Sequence, residues 1–192
     1  KKMQKEFLKY LISESKKFAE KNLIFDIILY GSSVKGKIEP NDLDILLIFE
    51  KKSLVERTEI SQKLKQSIKS KQKLDIKTIN LDELFSKDFL ARQGIFVEGY
   101  SLIHEEKFSR LLGFEGWTLF IYNLKKMNQN EKTKFTYALI GRRDEKGILK
   151  KIEAFSLGKG VVKVPIQNSI FFQEFLDKWK IDYKKKDILE VI

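Results

Sequence analysis

The feature that most constrains this chain is an apolar run, Ile27-Ile28-Leu29-Tyr30, that breaks at Gly31-Ser32-Ser33 and is followed by Asp42-Leu43-Asp44 at the head of a second apolar run through Phe49. An apolar run broken by Gly-Ser-Ser reads as a buried strand entering a turn. There a glycine permits close backbone approach, and exposed amides and hydroxyls can hold phosphate oxygens. Pro40-Asn41 closes the loop before the next strand. Side chains alternate along a strand, so Asp42 and Asp44 share one face while Leu43 and Ile45 point into the core. Two carboxylates this close repel each other unless a cation lies between them. Mg²⁺, which takes oxygen ligands and substrate phosphates, is the simplest occupant.

A third carboxylate aimed at the same cation is expected on a neighbouring strand, and Leu74-Asp75-Ile76-Lys77-Thr78-Ile79 supplies it. Leu74 and Ile76 share one face, and Asp75 and Lys77 the other. Between the two strands, Leu54, Ile60, Leu64 and Ile68 recur at close to helical spacing and predict an amphipathic helix with Lys and Gln on its far side.

Gly31-Ser32, nine intervening residues, Asp42-x-Asp44 and a later strand aspartate, Asp75, together resemble the nucleotidyltransferase domain of the DNA polymerase β-like superfamily. The resemblance covers roughly residues 5 to 105 and includes the tail Glu98-Gly99-Tyr100-Ser101-Leu102-Ile103. Minimal members usually carry ten residues in the gap and often serine where this chain has Asn41. The resemblance implies an α+β fold: a mixed-sheet nucleotidyltransferase core with flanking helices. It also implies that Asp42 and Asp44 bind two Mg²⁺ ions, with Mn²⁺ as a substitute, one ion arriving with a nucleotide triphosphate. Asp75 would complete the second metal site and assist removal of the proton from the attacking hydroxyl. Gly31 and Ser32 would hold the β,γ-phosphates, with Ser33 a further candidate. The implied reaction is in-line attack of an acceptor hydroxyl on the α-phosphorus with release of pyrophosphate, and two metals clamping the attacking and leaving oxygens suit that displacement on general grounds.

Composition narrows the alternatives. With 192 residues, 42% hydrophobic and fifteen Phe, the chain can bury a substantial core. No apolar run is long enough to span a membrane, and Lys1-Lys2-Met3-Gln4-Lys5 carries no apolar signal region, so a cytoplasmic protein with no membrane partner is expected. The absence of cysteine removes disulfides, thiol nucleophiles and thiolate metal sites. The single histidine, His104, excludes zinc sites that need two, and it reads as a surface or strand-end residue. The formal charge of +11 favours a polyanionic partner, but most of it is lysine spread along the chain, as solvated helix faces also require.

The opening helix is expected over residues 1 to 22, and another from Leu84 to Gly99. Gly113 and Gly116 interrupt the periodicity, so a catalytic domain over 1–110 and a small α+β accessory domain over 115–192 are expected. In the latter, Trp117 to Met127 reads as helical or mixed, Phe135 to Ile140 as an apolar run, and Ile148 to Leu157 as a short helix. Val161 to Val164 reads as a strand, Asn168 or Ser169 as the cap of a helix through Trp179, and Ile181 to Ile192 as a final strand. Arg142, Arg143 and Lys146 lie in a glycine-bounded loop and Lys159 between Gly158 and Gly160, so these loops are candidates for acceptor binding, although a solvated loop explains them equally. Phe171 and Phe172 read as helix core rather than base-stacking platforms.

Three functions remain. The first is a metal-dependent transferase acting on the 3′ hydroxyl of a nucleic acid, RNA before DNA because the chain is too small for duplex-gripping domains. The second is a protein-modifying enzyme like the minimal antitoxin nucleotidyltransferases, which transfer AMP to a partner hydroxyl. The third is a noncatalytic nucleic-acid-binding module, opposed by the presence of all three aspartates. Aminoglycoside modification would favour an acidic surface, which the basic balance opposes.

Overall fold

The structure, a computed structural model, describes residues 5–36 and 41–192. The loop-closing Pro40 and the start of the opening helix, both expected from sequence, lie outside the described residues. The chain divides into two compact units, Lys1–Phe114 with Val191–Ile192, and Glu115–Glu190.

The first unit runs α1 (Lys5–Asn22), β1 (Asp26–Tyr30), β2 (Asp42–Phe49), α2 (Leu54–Ser67), β3 (Lys73–Asn80), α3 (Arg92–Glu98), β4 (Tyr100–Ser101), β5 (Glu106–Lys107) and α4 (Phe108–Leu111). Its sheet has the order β3-β2-β1-β4-β5. Only the β2–β3 pair is parallel; the others are antiparallel, so the sheet is mixed. From Ile45 onward every residue of β2 is buried, because both faces are covered. Leu43, Ile45, Leu47 and Phe49 pack with Leu11 of α1 and Ile60 and Leu64 of α2. Leu46 and Ile48 pack on the other side with Ile28, Ile79, Ile95 and Phe108. This two-sided burial produces the continuous apolar run and leaves polar residues only at the head of the strand.

The helix expected over Leu84–Gly99 is instead a short 3₁₀ turn at Glu83–Phe85 followed by α3 from Arg92. The Arg92 guanidinium donates to the carbonyls of Phe85 and Ser86 at 3.2 and 2.8 Å, and these bonds hold the intervening Ser-Lys-Asp segment as turn.

The second unit contains β6 (Phe114–Tyr122), α5 (Gln129–Ile140), a small hairpin of β7 (Gly141–Arg142) and β8 (Glu145–Lys146), α6 (Ile148–Lys151), β9 (Phe155–Gly158), β10 (Val161–Pro165), α7 (Ser169–Lys178) and β11 (Tyr183–Val191). The main sheet has the order β11-β6-β10-β9, with β10 antiparallel to both neighbours of known register. Setting the hairpin and the short α6 aside, this is a β-α-β-β-α-β arrangement with its first and third strands central, the split βαβ or ferredoxin-like plan. Phe120, Val162 and Val164 meet Phe135, Leu139, Phe172 and Leu176 in a core between the sheet and the helices.

Three local expectations change here. Trp117 to Met127 is not helical but supplies most of β6, since its aromatic and β-branched residues alternate between the core and the opposite face. Phe135 to Ile140 is the last part of α5, whose start is marked by a capping box between Asn128 and Glu131. Ile148 to Leu157 is helical only through Lys151 and then enters β9, after the left-handed residue Glu153 at φ 57° breaks the helix. Among the described residues no helix is long and apolar enough to cross a membrane.

Candidate functional site

Strand register brings the aspartates together. β1 sets Tyr30 opposite Asp44, and the parallel β2–β3 pair sets Asp44 opposite Asp75. Asp44 therefore stands between Tyr30 and Asp75 on one sheet face, with Asp42 two residues before it on the same face. Leu46 and Ile48 continue that face as a buried apolar layer, so the carboxylates stand where the layer ends. Asp42 and Asp44 are half-buried and Asp75 is exposed.

The electrostatics follow from this crowding. Burial pushes the Asp44 carboxyl above its ordinary value, the charges of Asp42 and Asp75 push it further, and Lys77 partly opposes them. The Tyr30 hydroxyl is pushed up to about 12, first by burial and then by the charges of Asp44 and Asp75. That hydroxyl is also buried without a hydrogen-bond partner among the described residues.

The turn after β1 is a 3₁₀ turn over Gly31–Ser33. Gly31 has φ 77°, and a Cβ there would stand 2.2 Å from Asp44 Oδ2. Glycine is thus required both by the backbone conformation and by the carboxylate lying against it. The Gly31 amide donates to Glu98 Oε1 at 3.1 Å, and Glu98, buried at the end of α3, also pairs with Lys35. The Ser33 hydroxyl is buried and donates to the Tyr30 carbonyl at 3.1 Å. Ser32, half-buried beside it, makes no side-chain hydrogen bond among the described residues and is the hydroxyl best placed for a phosphate.

Among the described residues no three His, Cys, Asp or Glu side chains converge as a ready cation cage. The donor set still suits a hard divalent cation. It is all oxygen, it occupies adjacent register positions, and the repulsion felt by Asp44 is of the kind a cation relieves. Carboxylate rotamers on three neighbouring positions can adjust at small cost, whereas the strands that carry them are fixed by the core.

Tyr30, Lys77 and Glu98 were not singled out by sequence for the site. Glu98 lay within the quoted tail, but only the folded chain shows its carboxylate reaching back to the Gly31 amide. The candidate acceptor residues fall in two places in the second unit. Arg142, Arg143 and Lys146 are exposed on the β7–β8 hairpin, with the Arg142 guanidinium 4.8 Å above the Tyr137 ring, while Lys159 is exposed in the β9–β10 turn. A shallow cavity beside the hairpin is lined by Tyr137, Gly141, Lys146, Lys151 and Phe175. Phe172 is fully buried, its ring edge-on to Phe120 at 5.0 Å.

Residues 14–99 match the family model for Polymerase beta, Nucleotidyltransferase. A comparison with curated proteins found no match.

Proposed function

We propose, for a chain that belongs through residues 14–99 to the DNA polymerase β-like nucleotidyltransferase superfamily, the transfer of a nucleoside monophosphate from a nucleotide triphosphate to an acceptor hydroxyl, with an RNA 3′ end as acceptor. One observation carries the reading: Asp42, Asp44 and Asp75 occupy adjacent positions of two paired strands, at the end of the apolar layer and beside the Gly31–Ser33 turn. The acceptor oxygen bonds to the α-phosphorus, the bond from that phosphorus to the bridging oxygen breaks, and pyrophosphate leaves.

Asp42 and Asp44 would hold the divalent cations, two in this reading, and Asp75 would complete the second site. Mg²⁺ or Mn²⁺ bound there would supply charge neutralisation at the phosphates and lower the pKa of the attacking hydroxyl. Asp75, exposed on its strand, accepts the proton from that hydroxyl. Ser32 holds phosphate oxygens from the turn. Gly31 keeps the turn against Asp44, and Ser33 and Glu98 brace it from behind. Arg142, Arg143, Lys146 and Lys159 supply phosphate contacts for the acceptor in the accessory domain over 115–192.

The test incubates the full chain with Mg²⁺ or Mn²⁺ and each α-labelled nucleotide triphosphate, with bulk RNA or with cell protein. Label in RNA, lost in Asp44→Asn, is the expected result. Label confined to one protein band would move the acceptor to a protein and the enzyme to the AMP-transferring, antitoxin-like class. Absence of label in both would sink the RNA and protein readings together.

A further inference from the structure

The second unit has a sheet face that its own helices leave uncovered. α5, α6 and α7 all pack on the face that carries Phe120, Val162 and Val164. Register puts Trp117, Leu119 and Ile121 of β6 opposite Pro165, Lys163 and Val161 of β10 on the other face, and Phe155 of β9 beside Lys163. An antiparallel sheet with one solvated face normally alternates apolar and polar. Here the solvated face is apolar and aromatic: Phe155, Leu157 and Ile121 are 53%, 57% and 40% exposed. Contiguous exposed apolar surface of this kind marks a binding site.

The charge on the face selects the occupant. Lys163 Nζ lies 4.4 Å from the Trp117 ring centroid, and Trp117 and Phe155 meet edge to face at 5.8 Å. Lys163 also holds Glu190 at 2.8 Å, which places Glu190, and with it Lys186 and Lys184 by strand alternation, on the open side of β11. The opposite parity checks independently: Tyr183 packs on Phe120, and Lys185 reaches Gln173 on α7. The face therefore offers the exposed Phe155 ring on its edge strand, the half-buried Trp117 ring beside it under Lys163, an acidic group paired with Lys163, and two exposed lysines along one margin. Flat apolar rings rimmed by lysine fit unstacked bases with a phosphate backbone beside them. A duplex hides its base faces and meets only the lysines.

We infer that the open face of the β11-β6-β10-β9 sheet binds single-stranded nucleic acid, bases stacking on Trp117 and Phe155 and phosphates meeting Lys184 and Lys186. This names the surface that holds the acceptor and rests on the reading that the acceptor is a nucleic acid.

The test measures anisotropy of fluorescein-labelled oligouridylate, the corresponding deoxy oligomer and an RNA duplex with the full chain, without metal or nucleotide. Single strands should bind more tightly than duplex, and RNA against DNA reads the sugar preference of the face. Phe155→Ala, at an exposed position that leaves the core intact, should weaken single-strand binding about fivefold or more. Lys184→Glu with Lys186→Glu should weaken it and flatten the slope of log K against log salt by at least about 1.4. In a Trp179→Phe background, oligouridylate should quench the remaining indole, Trp117. Wild-type affinity in both Phe155→Ala and the double lysine variant would overturn the inference, as would a preference for duplex. So would a dimer that Phe155→Glu splits, which would give the face to a second copy. Binding that survives in Asp44→Asn while RNA is never labelled by wild type would sink the acceptor reading alone. RNA labelling with binding indifferent to Phe155 would sink the face alone.

Discussion

At Asp44 the folded state opposes the charge that the proposed chemistry needs. Its folded pKa lies above the ordinary carboxylate value, so between the two values the folded chain binds more protons than the unfolded one. Stability therefore falls as pH rises through that window, and the loss persists at neutral pH. In metal-free buffer at pH 7, Asp44→Asn should melt slightly higher than wild type, by less than about 1 kcal/mol because solvent screens a half-buried carboxylate. Below the ordinary carboxylate range the difference should close. Mg²⁺ should raise the melting temperature of wild type more than that of the variant. A variant that melts lower at pH 7 would show that Asp44 is stabilised by its neighbours instead. Gly31 tests the same contact from the other side. Gly31→Ala meets a left-handed backbone, costing about 1–2 kcal/mol, and a carboxylate 2.2 Å from the new methyl carbon. Calorimetry should show that loss, and nucleotide transfer should disappear with the displaced Asp44. Wild-type turnover in Gly31→Ala would mean that the carboxylate position is immaterial.

At the scale of elements, α2 is tied to the segment after β3 by a buried arginine. Arg57 is 7% exposed and is paired through both terminal nitrogens with Glu83, whose carboxylate also accepts from the Asn80 amide at 2.7 Å. The hydrogen bond from Arg57 holds the Glu83 carboxyl below its ordinary value, with the Asn80 amide adding to it. This stability is present above the usual glutamate pKa and is lost as pH falls through the lowered value. Glu83→Gln leaves the Arg57 charge half-satisfied, but the Glu83 carboxylate is partly solvated, so chemical denaturation should show a loss of about 1 kcal/mol at pH 7 that shrinks in acid. An unchanged midpoint would mean that water replaces the carboxylate. Sequence periodicity missed this link, because an arginine on a helix with other charged residues of both signs reads as solvated. The capping boxes at Ser53–Glu56 and Asn128–Glu131 were legible in the spacing, and the second would have identified α5 from its first residue.

Across the whole molecule, the charge of +11 is carried by surface lysines in both units, with arginine concentrated at few points. Affinity for RNA should accordingly fall about tenfold or more between 50 and 200 mM salt. Replacing Arg142, Arg143 and Lys146 together by alanine should lower affinity for all sequences and flatten that dependence without altering Trp117 quenching. Unchanged RNA affinity in this variant would remove the hairpin from acceptor binding. The hairpin extends from the helix layer, between α5 and α6, whereas the aromatic residues line the opposite sheet face, so the two surfaces can be tested separately.

The core of the first unit was legible in the sequence because its signals are local. A strand buried on both faces must be continuously apolar, a turn at positive φ selects glycine, and alternation alone puts Asp42 and Asp44 on one side. Tertiary structure decided everything that depends on pairing. Only the parallel register sets Asp75 beside Asp44, only the folded α3 returns Glu98 to the Gly31 amide, and only the strand order shows that Trp117 and Phe155 share an open face. In the second unit local periodicity misled at β6, because both faces of that nine-residue strand are largely apolar, with Trp117, Leu119 and Ile121 on one and Phe114, Phe120 and Tyr122 on the other. A pattern without a polar side carries no period, and the partner strands settle what the residues alone leave open.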